Sequence, residues 1–363
     1  MKRLVWFAVA RTPYTDYLYD EVGKNTDLKV VYSIKDLNTH PWQLPPPRHS
    51  YQFVDDDFSR SFGLMRKADA IVFTGWIFWK YLLLMRLAPS KTPMAFWTDT
   101  PKSRPRKWPK RILRNFVVQD IFRRFDHVWS TGNVGCVALG ELGCPKHKIH
   151  SLPTFPNLER FSMITPEQCT TAKQLRKKYG ASNSKTVVFL CVGQLIKLKR
   201  FEDAICALAA LDRSDCVLWF AGAGPEESTL RKISHELGVA NRVFFLGWRQ
   251  PPEDLENTYL AADVFVHPAN LDSFPNAVLE AMAWAKPVIG SNGTGAVVDR
   301  VIHGENGFIC SPGHVDCIRQ SMAHFLHNRS EIKTFGQKAR VTALQHPVSQ
   351  AIDLVYELLA VVK

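Results

Sequence analysis

Residues 267–290 read HPANLDSFPNAVLEAMAWAKPVIG, and the fold is decided there. A short uninterrupted apolar run, Val264–His267, leads into this stretch, and a loop of Pro, Asn, Asp and Ser follows it. Asn276–Trp284 then repeats its apolar residues at helical spacing, and Pro287–Gly290 is a second short apolar run. Strand, loop, helix, strand is a crossover unit, which joins parallel strands. Ser273 is expected as the helix N-cap, with Pro275 and Asn276 in the first turn. His267, ahead of Pro268, is expected as a structural strand-end residue.

The same rhythm extends outward through the second half. Strands are expected at Thr186–Val192, Val217–Ala221 and Val243–Leu246, and helices at Arg200–Leu211, Glu226–Leu237 and Glu253–Ala261. Continuous apolar strands alternating with helices imply a parallel sheet covered on both faces, a doubly wound α/β domain. In the first half, Leu4–Val9, Leu28–Tyr32, Ala70–Phe73, Met94–Trp97 and Val128–Ser130 are strand candidates, the last followed by a helix to about Leu142. Asp55-Asp56-Asp57 is read as a polar loop and Gly304–Gly307 as a tight turn. Phe155–Ser184 is polar and turn-rich and is expected as a linker. Val348–Val362 carries a helical apolar stripe, with Pro347 at its start.

A chain of 363 residues points to two domains. Its 46% hydrophobic and 22% charged residues exclude wholesale disorder, collagen and coiled coil. The net charge of +12 is one-sided: residues 1–160 hold 25 Lys and Arg against 14 Asp and Glu, whereas the remainder hold 21 against 20. Such a field suits phosphate-rich partners. The eight cysteines show no CxxC and no zinc spacing, so inert core thiols and a reducing compartment are expected. The opening MKRLVWFAVAR has the bare minimum of a leader's apolar run and is read as a buried first strand. The longest apolar region, 68–88, contains Asp69, Lys80 and Arg86, so no membrane span is expected.

A helix starting at Asn276 presents amides without intrahelical partners and a positive dipole end, which suits a phosphate. Glu280, one turn on and leaning back toward that end, suits a sugar hydroxyl rather than a phosphate. Asp272–Glu280 resembles the E-x7-E motif of retaining glycosyltransferases of the GT-B fold, family 4 (glycosyl transferases group 1), with Asp as the first acid. Val192–Leu195 with Lys199 resembles that family's G-R-L…K loop, with Gln194 in place of Arg. Phe220–Pro225, Val243–Trp248, Gly293–Gly295, Asp299 and Gly304–Phe308 resemble its further loops. The resemblance is strong over residues 185–315 and weak in the first half, which lacks the family's Gly-rich first loop and its His after a central strand.

The resemblance implies two doubly wound Rossmann-like domains facing each other across a cleft. Residues 1–170 would be an acceptor-binding domain, to which a helix from 347–363 returns, and 171–346 a nucleotide-sugar-binding domain. Glu280 would hold the ribose and Asp272 the transferred sugar. The amides of the stretch Phe274–Ala277 would hold sugar and distal phosphate, and Ser273, Phe274, Pro275, Asn276 and Ala277 would all be donor-binding. Lys199 would neutralise the diphosphate, and Gly193, Gln194, Gly222 and Gly224 would line the donor site. Asp99, after a central strand, would be the acceptor-side catalytic group. The implied activity is retaining, metal-independent transfer from a nucleotide-diphosphate sugar, the co-substrate, to a glycan or lipid-linked acceptor in bacterial surface polysaccharide or glycolipid synthesis. No other cofactor is implied. The alternatives are a nucleotide-sugar epimerase of the same fold and a non-catalytic nucleotide-sugar-binding subunit.

Lys102–Arg124 holds nine basic residues, one acid, and Trp108, Ile112, Leu113, Phe116 and Phe122. A basic helix bearing aromatics suits an anionic membrane surface, with a solvated loop and helix face as the alternative; the chain is expected in the cytoplasm, peripheral on the inner face of the cell membrane. No nucleic-acid module accompanies the cluster, so no nucleic-acid partner is expected.

Overall fold

The computed structural model describes residues 1–35, 42–75, 79–99, 108–161, 164–250 and 253–361, without the side chains of 108–115 and 158–159. The chain divides into two compact units, one of residues 1–155 with 348–363 and one of residues 156–347. The division falls at 155/156 rather than 170/171, and Phe161, between the two positions, packs in the core of the second unit. Among the described residues, no helix is long and apolar enough to cross a membrane.

In chain order the first unit runs β1 (Arg3–Ala8), α1 (Pro13–Gly23), β2 (Asp27–Tyr32), β3 (Ser50–Phe53), α2 (Phe58–Arg66), β4 (Ala70–Thr74), α3 (Trp79–Leu87), β5 (Met94–Thr98), α4 (Trp108–Arg124), β6 (His127–Ser130), α5 (Gly132–Glu141) and β7 (Ile149–Ser151). The second runs α6 (Pro166–Lys178), β8 (Val187–Val192), α7 (Phe201–Ala209), β9 (Cys216–Ala221), α8 (Glu227–Glu236), β10 (Val243–Gly247), α9 (Glu253–Ala261), β11 (Val264–His267), α10 (Asn276–Ala283), β12 (Val288–Ser291), α11 (Gly295–Arg300), β13 (Gly307–Cys310), α12 (Val315–His327) and α13 (Arg329–Leu344). A last helix, α14 (Ser349–Ala360), belongs to the first unit, where Ala351, Val355 and Leu358 pack with Leu18, Tyr19 and Val22 of α1.

Both sheets are parallel throughout, in the orders β3-β2-β1-β4-β5-β6-β7 and β10-β9-β8-β11-β12-β13. The central strands read as unbroken apolar runs because each face of the sheet is buried. In β8, Val188, Leu190 and Val192 enter one core cluster and Val187, Phe189 and Cys191 the other. In β1, Leu4, Trp6 and Ala8 alternate with Val5 and Phe7 in the same way. Strand order reverses between β1 and β4 and again between β8 and β11. In open α/β sheets such switch points, at the carboxyl ends of the strands, hold the ligand.

Several expectations need correction. The expected linker contains α6, which begins with a capping box between Thr165 and Gln168 and Pro166 in its first turn. It was hidden because only Ala172 of its residues is buried, so no apolar stripe betrays it. Two of the eight cysteines are not isolated thiols. Cys310, ending β13, and Cys317, in the first turn of α12, are disulfide-bonded with Cα atoms 5.8 Å apart. Of the basic segment, residues 102–107 lie outside the described residues, and Phe122 is buried in the core rather than facing out. Asp57 of the acidic triplet caps α2, accepting from the Arg60 amide at 2.8 Å.

Candidate active site

The second unit's switch point brings the loops after β8 and β11 side by side. They are joined directly, since the Asn270 amide donates to the Leu198 carbonyl at 2.9 Å. The β8 loop starts at Gly193, which takes a positive φ of 141°. It is pinned to the β9 loop by Gly193 N to Ala221 O (3.1 Å) and Leu195 N to Ala223 O (3.0 Å). Backbones approach so closely here that a Cβ on Gly222 would lie 1.8 Å from the Gly193 carbonyl oxygen, and one on Gly224 2.4 Å from that of Leu195. Gln194 and a single 3-10 turn, Lys197–Lys199, follow. Arg200 then adopts a left-handed conformation (φ 50°, ψ 40°), held by two bonds to Asp203 at 2.7 and 2.8 Å. This forced turn aims Lys199 back at the end of the sheet.

The β11 loop meets it there. Lys199 Nζ donates to Asp272 Oδ2, and His267 Nε2 lies 3.1 Å from the same oxygen. Among the described residues both side-chain contacts of Asp272 fall on Oδ2. Burial alone would raise the Asp272 carboxyl, but the His267 hydrogen bond and the Lys199 charge override it and hold the group down at about 2. An ionised carboxylate only accepts, so His267 Nε2 carries the proton. Burial pushes the His267 pKa down, and its Nδ1 has no hydrogen-bond partner among the described residues. The ring is therefore neutral. The Asp272 backbone is fixed as well: its amide donates to Gly293 O (3.2 Å) and its carbonyl accepts from Gly295 N (3.0 Å). A side chain at 295 would put Cβ 1.9 Å from the Ser273 carbonyl oxygen.

Helix α10 starts beside this pair. Its N-cap is Pro275, not Ser273, and no side chain caps it. The residue before a proline is driven to extended conformation, so Phe274 cannot open a helix and the first turn begins at Asn276. The first α10 amides thus stay outside its internal ladder. Phe274 is buried in the core, which fixes the turn, and the Arg300 guanidinium lies 5.6 Å from its ring. One turn in, Glu280 is only 8% exposed, and the Tyr259 hydroxyl donates to its Oε2 at 2.9 Å and lies 3.3 Å from Ala277 O.

The structure therefore gathers Gly193, Gln194, Lys199, Gly222, Gly224, Asp272, Phe274, Asn276, Ala277 and Glu280 around one sheet end. Three further side chains stand there: His267, the expected structural residue ending β11, Tyr259, which lies 21 residues before Glu280 on another helix, and Arg300, in a helix of six residues. Asp99 belongs to the first unit. It follows β5, is exposed, and accepts from Thr131 Oγ1 at 2.8 Å. The corresponding end of that unit's sheet carries a buried polar chain: Arg11 to Asp16 (3.0 and 2.7 Å), Tyr32 OH to Asp16 (3.1 Å), His49 Nε2 to Tyr32 OH (3.0 Å) and His49 Nδ1 to Asp20 (2.7 Å).

Comparison with known proteins bears on the same residues. The family described as glycosyl transferases group 1 matches residues 172–342. N-acetyl-alpha-D-glucosaminyl L-malate synthase of Bacillus anthracis is 28% identical over 185 residues, covering 51% of this chain and 47% of that protein. A GDP-mannose-dependent alpha-(1-6)-phosphatidylinositol monomannoside mannosyltransferase of Mycobacterium tuberculosis is 30% identical over 205 residues, covering 54% of this chain and 51% of its own. The chain thus spans about half the length of the curated relatives it matches. Among solved structures, Anabaena HepE in complex with UDP superposes with a TM-score of 0.80 at 19% identity, covering 99% of this chain and 100% of that one. Residues 172–342 thus match the family described as glycosyl transferases group 1, and the two Rossmann-like units share the GT-B fold of the solved structures.

Proposed function

We propose that the protein is a retaining, metal-independent glycosyltransferase. It would move a sugar from a nucleotide-diphosphate sugar to a glycan or lipid-linked acceptor of a bacterial surface polysaccharide or glycolipid, at the cytoplasmic face of the membrane. The observation that carries this reading is the Lys199–Asp272 pair at the switch point, beside the uncapped start of α10 and one turn from Glu280. An ammonium and helix amides suit a diphosphate. Two buried carboxylates suit hydroxyls: Glu280, oriented by Tyr259, for the ribose, and Asp272 through Oδ1 for the sugar.

In this scheme the anomeric C–O bond breaks and its electron pair leaves on the diphosphate. Lys199 and the α10 amides stabilise that developing charge, as fixed donors do in other polar active sites. The acceptor hydroxyl attacks from the face the diphosphate vacates, and its proton passes to the departing diphosphate oxygen. Lys199 passes from Asp272 toward the diphosphate as the donor enters, so its charge is used where it is needed. No metal and no further cofactor enters the scheme. Asp99 and the Arg11–Asp16 network, at the ends of the first unit's strands, are the acceptor-side groups.

The test is transfer from UDP- and GDP-sugars to a lipid extract by wild type, Lys199→Ala and Glu280→Ala. Loss of transfer in both variants with unchanged melting temperature supports the reading. Full activity in both overturns it, and donor consumption without acceptor would point to epimerisation instead.

A further inference from the structure

Helix α3 exposes what a helix of a folded domain normally hides. It buries Tyr81, Leu84 and Met85 yet leaves Trp79 (68% exposed), Leu83 and Leu87 on its outer face. Those three stand at four-residue spacing, which makes a continuous stripe. Phe116 of the neighbouring helix α4 is 73% exposed. Between the two helices lies a groove of about 350 Å³ whose apolar lining includes Leu82, Leu83, Val117 and Ile121. Scattered exposed apolar residues are ordinary, but a stripe beside an apolar groove marks a binding surface.

The charge around it is basic. Arg86 and Arg124 line the groove with one acid, Asp120, which both hold: Arg124 Nε is 2.9 Å and Arg86 Nε 3.8 Å from it. Arg123 is exposed beside them. A second copy of the chain on this face would bring these arginines against their own kind. Aromatic and aliphatic side chains ringed by arginines match an anionic bilayer, where apolar groups enter the acyl boundary and guanidiniums meet phosphates.

We infer that the face formed by α3 and the carboxyl half of α4 docks the protein on an anionic phospholipid membrane, with Trp79 and Phe116 as insertion anchors and the groove open to an acyl chain. This moves the membrane contact from the basic segment 102–124 to a surface in which α3 supplies the apolar half. The inference rests on the proposed function only for its purpose, and its test does not involve transfer.

The experiment is flotation of the full chain with vesicles of phosphatidylcholine alone and of an equal mixture with phosphatidylglycerol. Binding is expected to the mixture and to fall steeply with salt. The pair Trp79→Ser/Phe116→Ser and the pair Arg123→Gln/Arg124→Gln should each weaken it about tenfold or more, while melting temperature and stabilisation by nucleoside diphosphates stay unchanged. Equal binding to both vesicle types, or undiminished binding by both variants, overturns the inference. So does a concentration-dependent dimer in light scattering that Phe116→Ser abolishes. Loss of nucleotide stabilisation in wild type would count against the proposed function and leave this surface untouched.

Discussion

His267 Nε2 and Asp272 Oδ2 stand 3.1 Å apart, one at the last residue of β11 and the other in the loop it launches. A fully buried neutral imidazole thus fixes a carboxylate that also holds the Lys199 ammonium. His267 is wholly enclosed, so it can reach a ligand only through Asp272.

Acid stability follows from this pairing. The Asp272 carboxyl is lowered from 3.8 to about 2 on folding. The unfolded chain takes up that proton first, so the contribution is complete above pH ~4 and is lost as pH falls toward ~2. It amounts to about 2 kcal/mol. His267 is lowered too, so its own loss begins higher, below pH ~6.5, as the unfolded ring protonates. Urea unfolding at pH 7, 5 and 3 should show wild type losing more stability between the two lower pH values than Asp272→Asn does. Equal losses would contradict the pairing.

Lys199→Ala should weaken nucleoside diphosphate binding by about 2–3 kcal/mol, a charge-assisted contact's worth, and leave binding of the uncharged nucleoside unchanged. Titration calorimetry with the two ligands separates these effects. A variant that loses both equally has lost its loop, not its charge.

Tyr259→Phe removes the hydroxyl that donates to Glu280 Oε2 at 2.9 Å. The buried carboxylate then lacks one donor, at a cost of about 1–3 kcal/mol in stability. More specifically, the preference for ribonucleotide over 2′-deoxyribonucleotide should narrow in this variant and vanish in Glu280→Ala. Competition binding with the two nucleotides reads that ratio, which a merely structural role would not move.

Gly222→Ala places Cβ on the Gly193 carbonyl oxygen. Backbone must then move on both sides of the site, with a loss of about 2–4 kcal/mol and of nucleotide binding. Calorimetric melting checks the first and ligand-induced stabilisation the second.

Much of the second unit was legible because its physics is written locally. Strands such as Val187–Val192 are buried on both faces and therefore apolar without interruption, and the loop from His267 to Asn276 announces itself by Pro, Asp and Ser. Elements whose stability comes from elsewhere were not. Edge strand β3 (SYQF) is half exposed and shows no apolar run, β7 is three residues long, and α6 relies on its capping box. The helix start at Asn276 stands as expected, but its N-cap is Pro275 and not Ser273, which only looked like a cap by residue type. Tyr259 and His267 take their roles from tertiary proximity, and Cys310 and Cys317 from the turn between β13 and α12.

The most direct measurement is a crystal structure of the protein with an unhydrolysed nucleotide-sugar. The account predicts the diphosphate against the start of α10 with the Lys199 ammonium about 3 Å from a phosphate oxygen, and the ribose hydroxyls on Glu280. A donor bound elsewhere, with Lys199 still clasping Asp272 and no ligand on Glu280, would contradict it.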